Sequence, residues 1–155
     1  MKKVIALSLC LAIASCAFAG VGGDKVAYRG GTAAGLKDGF EAKANLKRPD
    51  AFTFGTLTIP YDKIQSIEYG QKAGRRVGAA IATAVLVSPV GLFLLFSKKR
   101  KHMVSLTWMN VEGKTDAAVF EFGKNAIRPA LKILEVKSGK QIEYESEDAK
   151  ANIGK

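Results

Sequence analysis

The side chains able to do covalent or acid–base chemistry are few in this 155-residue chain, and their spacing assembles no known centre. His102 is the one histidine; it follows Lys98, Lys99, Arg100 and Lys101, a basic run that would hold it against a role as base. Glu112 and Asp116 flank an expected hairpin connection and read as solvated turn residues rather than an acid pair. Glu143, Glu145, Glu147 and Asp148 read as a polar face near the C-terminus. Both cysteines, Cys10 and Cys16, fall in an N-terminal segment expected to be cleaved. The mature chain would then have neither a disulfide framework nor the usual zinc ligand sets. The 16 glycines form neither a P-loop nor a dinucleotide fingerprint, and Gly30-Gly31-Thr32 reads as a loop signal. The expectation is a protein that is not an enzyme, with no catalytic residues, no metal and no cofactor.

The N-terminus carries a different kind of signal. Lys2 and Lys3 precede an uncharged, mostly apolar run over 4–14, and Ala17-Phe18-Ala19 before Gly20 has the small-x-small form that signal peptidase accepts. That apolar run is short for a bilayer span, which takes about 20 residues. A signal peptide over 1–19, cut between Ala19 and Gly20, is therefore expected, giving an exported protein of the periplasm or cell envelope. Ile13-Ala14-Ser15-Cys16 also resembles the lipobox of bacterial lipoproteins, with Ile where Leu is more usual. The residues favour ordinary cleavage, and lipidation at Cys16 stays open as an alternative. Without Lys2 and Lys3 the formal net charge of +10 becomes +8. That sign suits anionic lipid headgroups, with nucleic acid a weaker fit for an exported chain.

Beyond the leader, periodicity sets out a series of strands. Lys25 to Arg29 is a possible first strand. Phe40, Ala42, Ala44 and Leu46 share one parity, with Glu41, Lys43 and Asn45 on the other. Arg48-Pro49-Asp50 reads as a turn. Phe52 and Phe54 give way at Gly55 to Leu57 and Ile59 on the opposite parity, which implies a tight turn or bulge there. Ile67 and Tyr69 mark another strand. Val104, Leu106 and Trp108 pair across Asn110 to Lys114 with Ala118, Phe120 and Phe122. Ile127, Ala130, Leu131 and Leu134 then predict a helix over 125–138. Asn125 is its expected cap, Pro129 falls in its first turn, and Gly139 is its stop. A short strand over 141–145 and a frayed polar tail over 146–155 complete the reading.

Successive strands closed by one amphipathic helix predict an α+β fold, mainly antiparallel. The phrase Leu57-Thr58-Ile59-Pro60-Tyr61-Asp62-Lys63-Ile64-Gln65-Ser66-Ile67 resembles a mid-domain stretch of bacterial PH-like proteins, and the element order resembles PH-like and GRAM-like domains. That resemblance implies a bent sheet or barrel over 24–145, plugged by the last helix. It also implies a scaffold for headgroups, peptides or partner proteins, without catalysis. The dense basic loop of the phosphoinositide-binding version is absent between the first two strands.

An apolar helical or re-entrant segment over 74–97 interrupts this domain. Its 21 residues 77–97 carry no charge and include Leu92, Phe93, Leu94, Leu95 and Phe96. Lys72, Arg75 and Arg76 precede it, and Lys98, Lys99, Arg100 and Lys101 follow. As one helix it would reach across a hydrocarbon core of about 30 Å. A hairpin turning at Ser88-Pro89-Val90-Gly91 would instead return both cationic flanks to one headgroup layer. Gly74, Gly78 and Ala82 would equally suit close packing in a soluble core or a homo-oligomer contact. Membrane attachment through this segment leads; a soluble periplasmic or secreted protein using 77–97 as core or interface is the alternative.

Overall fold

Alternating residues that bury one side chain in two cannot stay single, and here they pair into one sheet. The structure is a computed structural model that describes residues 25–71 and 101–153. The expected signal peptide, Cys16, the Ala19/Gly20 junction, and the segment 72–100 with its cations lie outside the described residues.

Strands β1 (Lys25–Gly31), β2 (Glu41–Asn45), β3 (Ala51–Phe54) and β4 (Leu57–Pro60) form one antiparallel meander. A single 3-10 turn, Tyr61–Lys63, leads to β5 (Ile64–Gly70), which pairs with β6 (His102–Met109), and β6 with β7 (Thr115–Phe122). β1 lies antiparallel to β7 and joins the two meanders. Helix α1 (Lys124–Ser138) follows, then β8 (Ile142–Tyr144) and a short helix α2 (Glu147–Ala151). The sheet has eight strands in the order β4-β3-β2-β1-β7-β6-β5-β8, and β8 runs parallel to β5. The fold is therefore α+β, an open and mainly antiparallel sheet with a few helices.

The predicted parities hold where the inner face is apolar. Phe52, Phe54, Val104, Leu106, Phe120 and Leu134 all sit in one buried cluster. Phe120 is its centre: its ring lies 5.2 Å from those of both Phe52 and Phe54, and 6.1 Å from Tyr28, all edge-on. Edge-to-face pairs add roughly 0.5–1.5 kcal/mol each to what burial supplies. From α1, the expected stripe of Ile127, Ala130, Leu131 and Leu134 packs into the same cluster, with Ala126 beside it. The parity change at Gly55 is a two-residue turn, because Phe54 pairs with Leu57.

Four expectations need correction. Gly30 and Gly31 are not loop but the end of β1, with a register shift between Tyr28 and Gly30. Glycine is required at position 31: its φ is +145°, and a Cβ there would sit 2.1 Å from the Ala117 carbonyl oxygen. Asn125 does not cap α1. The cap is Gly123, which has no side-chain bond, and the helix starts at Lys124, which puts Pro129 in the second turn. The tail is not frayed through 146–153, because Ser146 accepts from the Ala149 N–H and starts α2, whose Ala149 joins the core cluster. Phe40, expected inward, is 43% exposed and precedes β2, with its ring edge-to-face with that of Phe54 and lying over Gly55.

Candidate functional site

After a register shift between Ile64 and Ser66, the β5–β6 ladder runs regularly to Gly70 opposite Met103, and one further bond, Lys101 N–H to the Gln71 carbonyl at 3.1 Å, closes it. Both ends of segment 72–100 therefore leave the sheet at one point. Of the expected flanking cations, Lys101 alone is among the described residues. Its Nζ lies 2.8 Å from the Glu121 carboxylate, which Arg29 Nε also approaches to 2.6 Å. All three are partly exposed, so this cluster positions side chains more than it stabilises the fold.

On the inner side of that point polar groups bond to one another. Tyr69 Oη and His102 Nδ1 are 2.7 Å apart, and Gln71 Nε2 donates to Tyr69 Oη and to the Asn152 carbonyl. Burial pushes the Tyr69 hydroxyl up and, with Lys124 nearby, the His102 ring down, so both stay neutral around neutral pH. His102 lies in a strand and is 8% exposed, a bonded structural residue rather than a base open to substrate.

The outer side differs. Glu68 is opposite Ser105 on β6 and Glu143 on β8. Its side chain is 2% exposed, and neither of its carboxylate oxygens has a hydrogen-bond partner; the Ser105 hydroxyl also lacks one. Burial, with Glu143 adding repulsion, pushes the Glu68 carboxyl up to about 7. A carboxyl with that value could exchange a proton near neutrality. Its polar neighbours in register are the Ser105 hydroxyl and the Glu143 carboxylate. Sequence reasoning missed it because Ile67 and Tyr69 assign Glu68 to the polar parity. One signal was present: Ala117-Ala118-Val119-Phe120 is apolar on both parities, which marks a strand buried on both faces.

Two grooves lie elsewhere on the described residues. One, of about 400 Å³, is lined by Pro60, Lys63, Trp108, Met109 and Val111. The other lies between α1, β8 and α2, where Arg128 already donates to the Ile153 carbonyl and Lys132 to Glu135. The first groove is lined mainly by apolar side chains, and the second carries Glu135, Lys132, Lys150 and Tyr144 at its wall. Glu112 pairs with Lys114, while Asp116 accepts from Thr32 and Asn110, so the two acids hold the hairpin. Among the described residues no group of three His, Cys, Asp or Glu side chains could hold a metal ion. Nor is any described helix long and apolar enough to cross a membrane. Compared with protein-family models, curated proteins and solved structures, the chain matches none.

Proposed function

We propose that this is a non-enzymatic interaction module of the cell envelope, attached to a membrane surface by segment 77–97 entering and leaving on one side. The observation that carries the reading is the Lys101-to-Gln71 bond. A single crossing would separate its two ends by about 30 Å of hydrocarbon. Here the ends are one hydrogen bond apart. Two full crossings would need about 40 apolar residues, and 77–97 offers 21. A shallow hairpin remains, with the cations at 72–76 and 98–101 at one layer of anionic headgroups.

Export rests on the leader over 1–19, with cleavage at Ala19 or lipidation at Cys16 as its two processing routes. A PH-like scaffold is supported by two meanders joined through β1 and β7, with α1 packed against the 3-10 turn and β5. In that reading the ligand is a headgroup, a peptide or a protein surface.

The test is fractionation together with flotation on vesicles containing anionic lipid. The native chain should resist a carbonate wash and float, and Leu94→Asp with Leu95→Asp should release it. A native chain that washes off completely and ignores the vesicles would overturn membrane attachment. It would leave the soluble periplasmic or secreted reading, with 77–97 as core or subunit contact.

A further inference from the structure

The outer face of β1, β7, β6 and β5 is buried, yet the described elements do not account for its cover. Three rows cross it in register. Gly70, Met103, Glu121 and Ala27 form the first; Glu68, Ser105, Val119 and Gly30 the second; Ser66, Thr107 and Ala117 the third. Met103 is 2%, Ser105 1% and Val119 0% exposed. Nevertheless Ala27, Met103, Ala117 and Val119 stand outside the contact cluster that unites the inner core. α1 packs on the 3-10 turn and β5 from the inner side, and α2 packs on β8. Ala117 and Val119 on this face have no described apolar partner layer.

We infer that residues 77–87, the first half of the apolar segment, lie across this outer face and form the second hydrophobic layer of the sheet. Three observations choose this occupant. Segment 72–100 begins and ends at the rim of the face, since Gln71 and Lys101 continue β5 and β6 directly. Docking it closes only a short loop, which costs little chain entropy. The shapes also match. Around Met103 and Glu68 the face is built from the small residues Gly30, Ala27, Ala117, Ser105 and Val119, and 77–87 is rich in Gly78, Ala79, Ala80, Ala82 and Ala84. Small residues on both partners permit close backbone approach. Its length fits as well: as a helix, 77–87 would extend about 16 Å, close to three inter-strand spacings of about 4.8 Å each.

The bulky half, Leu92 to Phe96, is left for lipid. The inference rests on the common exit point of the proposed function and narrows its lipid-entering part from 77–97 to the half after Ser88, and docking and membrane attachment can still fail separately. It also gives Glu68 a role: a carboxyl under this layer opposes docking once it ionises.

The test uses the full chain with Cys10→Ser and Cys16→Ser and single cysteines introduced elsewhere. Ser105→Cys and Ala117→Cys should react with a maleimide about a hundredfold or more slower than Met109→Cys, which reports an exposed position, because labelling then requires local opening. Paired with Ala117→Cys, at least one of Gly78→Cys, Ala82→Cys and Val85→Cys should form a disulfide within one chain. Labelling as fast as at position 109 overturns the inference. So does a bond between two chains, which would make a second copy the occupant, or a bond from a cysteine at Ala14 in the leader. Protection without any link to 77–87 overturns it too. In the Leu94→Asp, Leu95→Asp chain, loss of flotation with Ser105→Cys still protected would leave docking standing. Retained flotation of the native sequence with rapid labelling at 105 would leave only membrane attachment.

Discussion

The two faces of one sheet are built on opposite terms. The inner face carries Phe52, Phe54, Phe120 and Tyr28, and α1 closes over them, so every large side chain has a described apolar neighbour. The outer face carries mostly alanine, serine, threonine and glycine, with Val119 and Met103 among them, and it holds two buried polar groups, Glu68 and Ser105, without partners. A face of large interlocking rings is specified by shape. A face of small residues with an orphaned carboxyl is a surface awaiting a cover, and its stability depends on what lies over it and on the protonation of Glu68. The difference teaches that burial alone does not identify a core.

The largest effect that separates the faces belongs to the inner one. Phe120→Ala removes the ring that touches three others and leaves a cavity that α1 cannot fill. It should cost about 3–5 kcal/mol in urea unfolding, independent of pH. A loss below about 1 kcal/mol would mean that the aromatic centre is not what holds the inner face.

On the outer face the sharper probe is pH. Glu68 has its folded value raised to about 7 from an ordinary 4.5. Between those values the folded chain holds a proton that the unfolded chain has released, so stability falls as pH rises from about 4.5 to 7 and is level above. Glu68→Gln removes that dependence. The variant should gain about 3 kcal/mol relative to the native chain between pH 4 and pH 8. Comparing the two chains at each pH cancels the other carboxylates and any fixed cost of the buried amide. An unchanging difference would show that Glu68 is hydrated in the folded protein.

Which face the sequence reveals follows from the same contrast. Val104, Leu106 and Trp108 alternate with Ser105 and Thr107, and that pattern gave the strand and its inner side directly. It also made the outer side look solvated, because serine and threonine look alike in water and under a cover. The doubly apolar run at 117–120 was the visible exception. β8 was expected as a strand, but its parallel pairing was not, since three residues carry no register information. α2 was hidden because Ala149 is its one buried residue, and a single alanine has no period. At the candidate site, the basic flanks and the apolar run were evident from composition, whereas the shared exit at Gln71 and Lys101 depends on strand pairing between residues 30 apart in the chain.

The smallest effect tests whether the sheet's β8 edge belongs to the inner layer alone. Ser146 is the N-cap of α2, and its hydroxyl accepts the Ala149 N–H at 3.1 Å. Ser146→Ala should cost about 1 kcal/mol and speed hydrogen exchange through 147–152. α2 holds Ala149 in the inner cluster and presents the Asn152 carbonyl to the Gln71 side-chain amide, so exchange of that side-chain amide should rise with it. The outer face should not respond, because α2 packs against β8 and lends it no cover. Maleimide labelling at Ser105→Cys should therefore keep its native rate in the Ser146→Ala chain. If protection there fell along with α2, the two faces would be opening as one unit, and the layer over Ser105 would owe its stability to the tail rather than to a segment seated on the sheet itself.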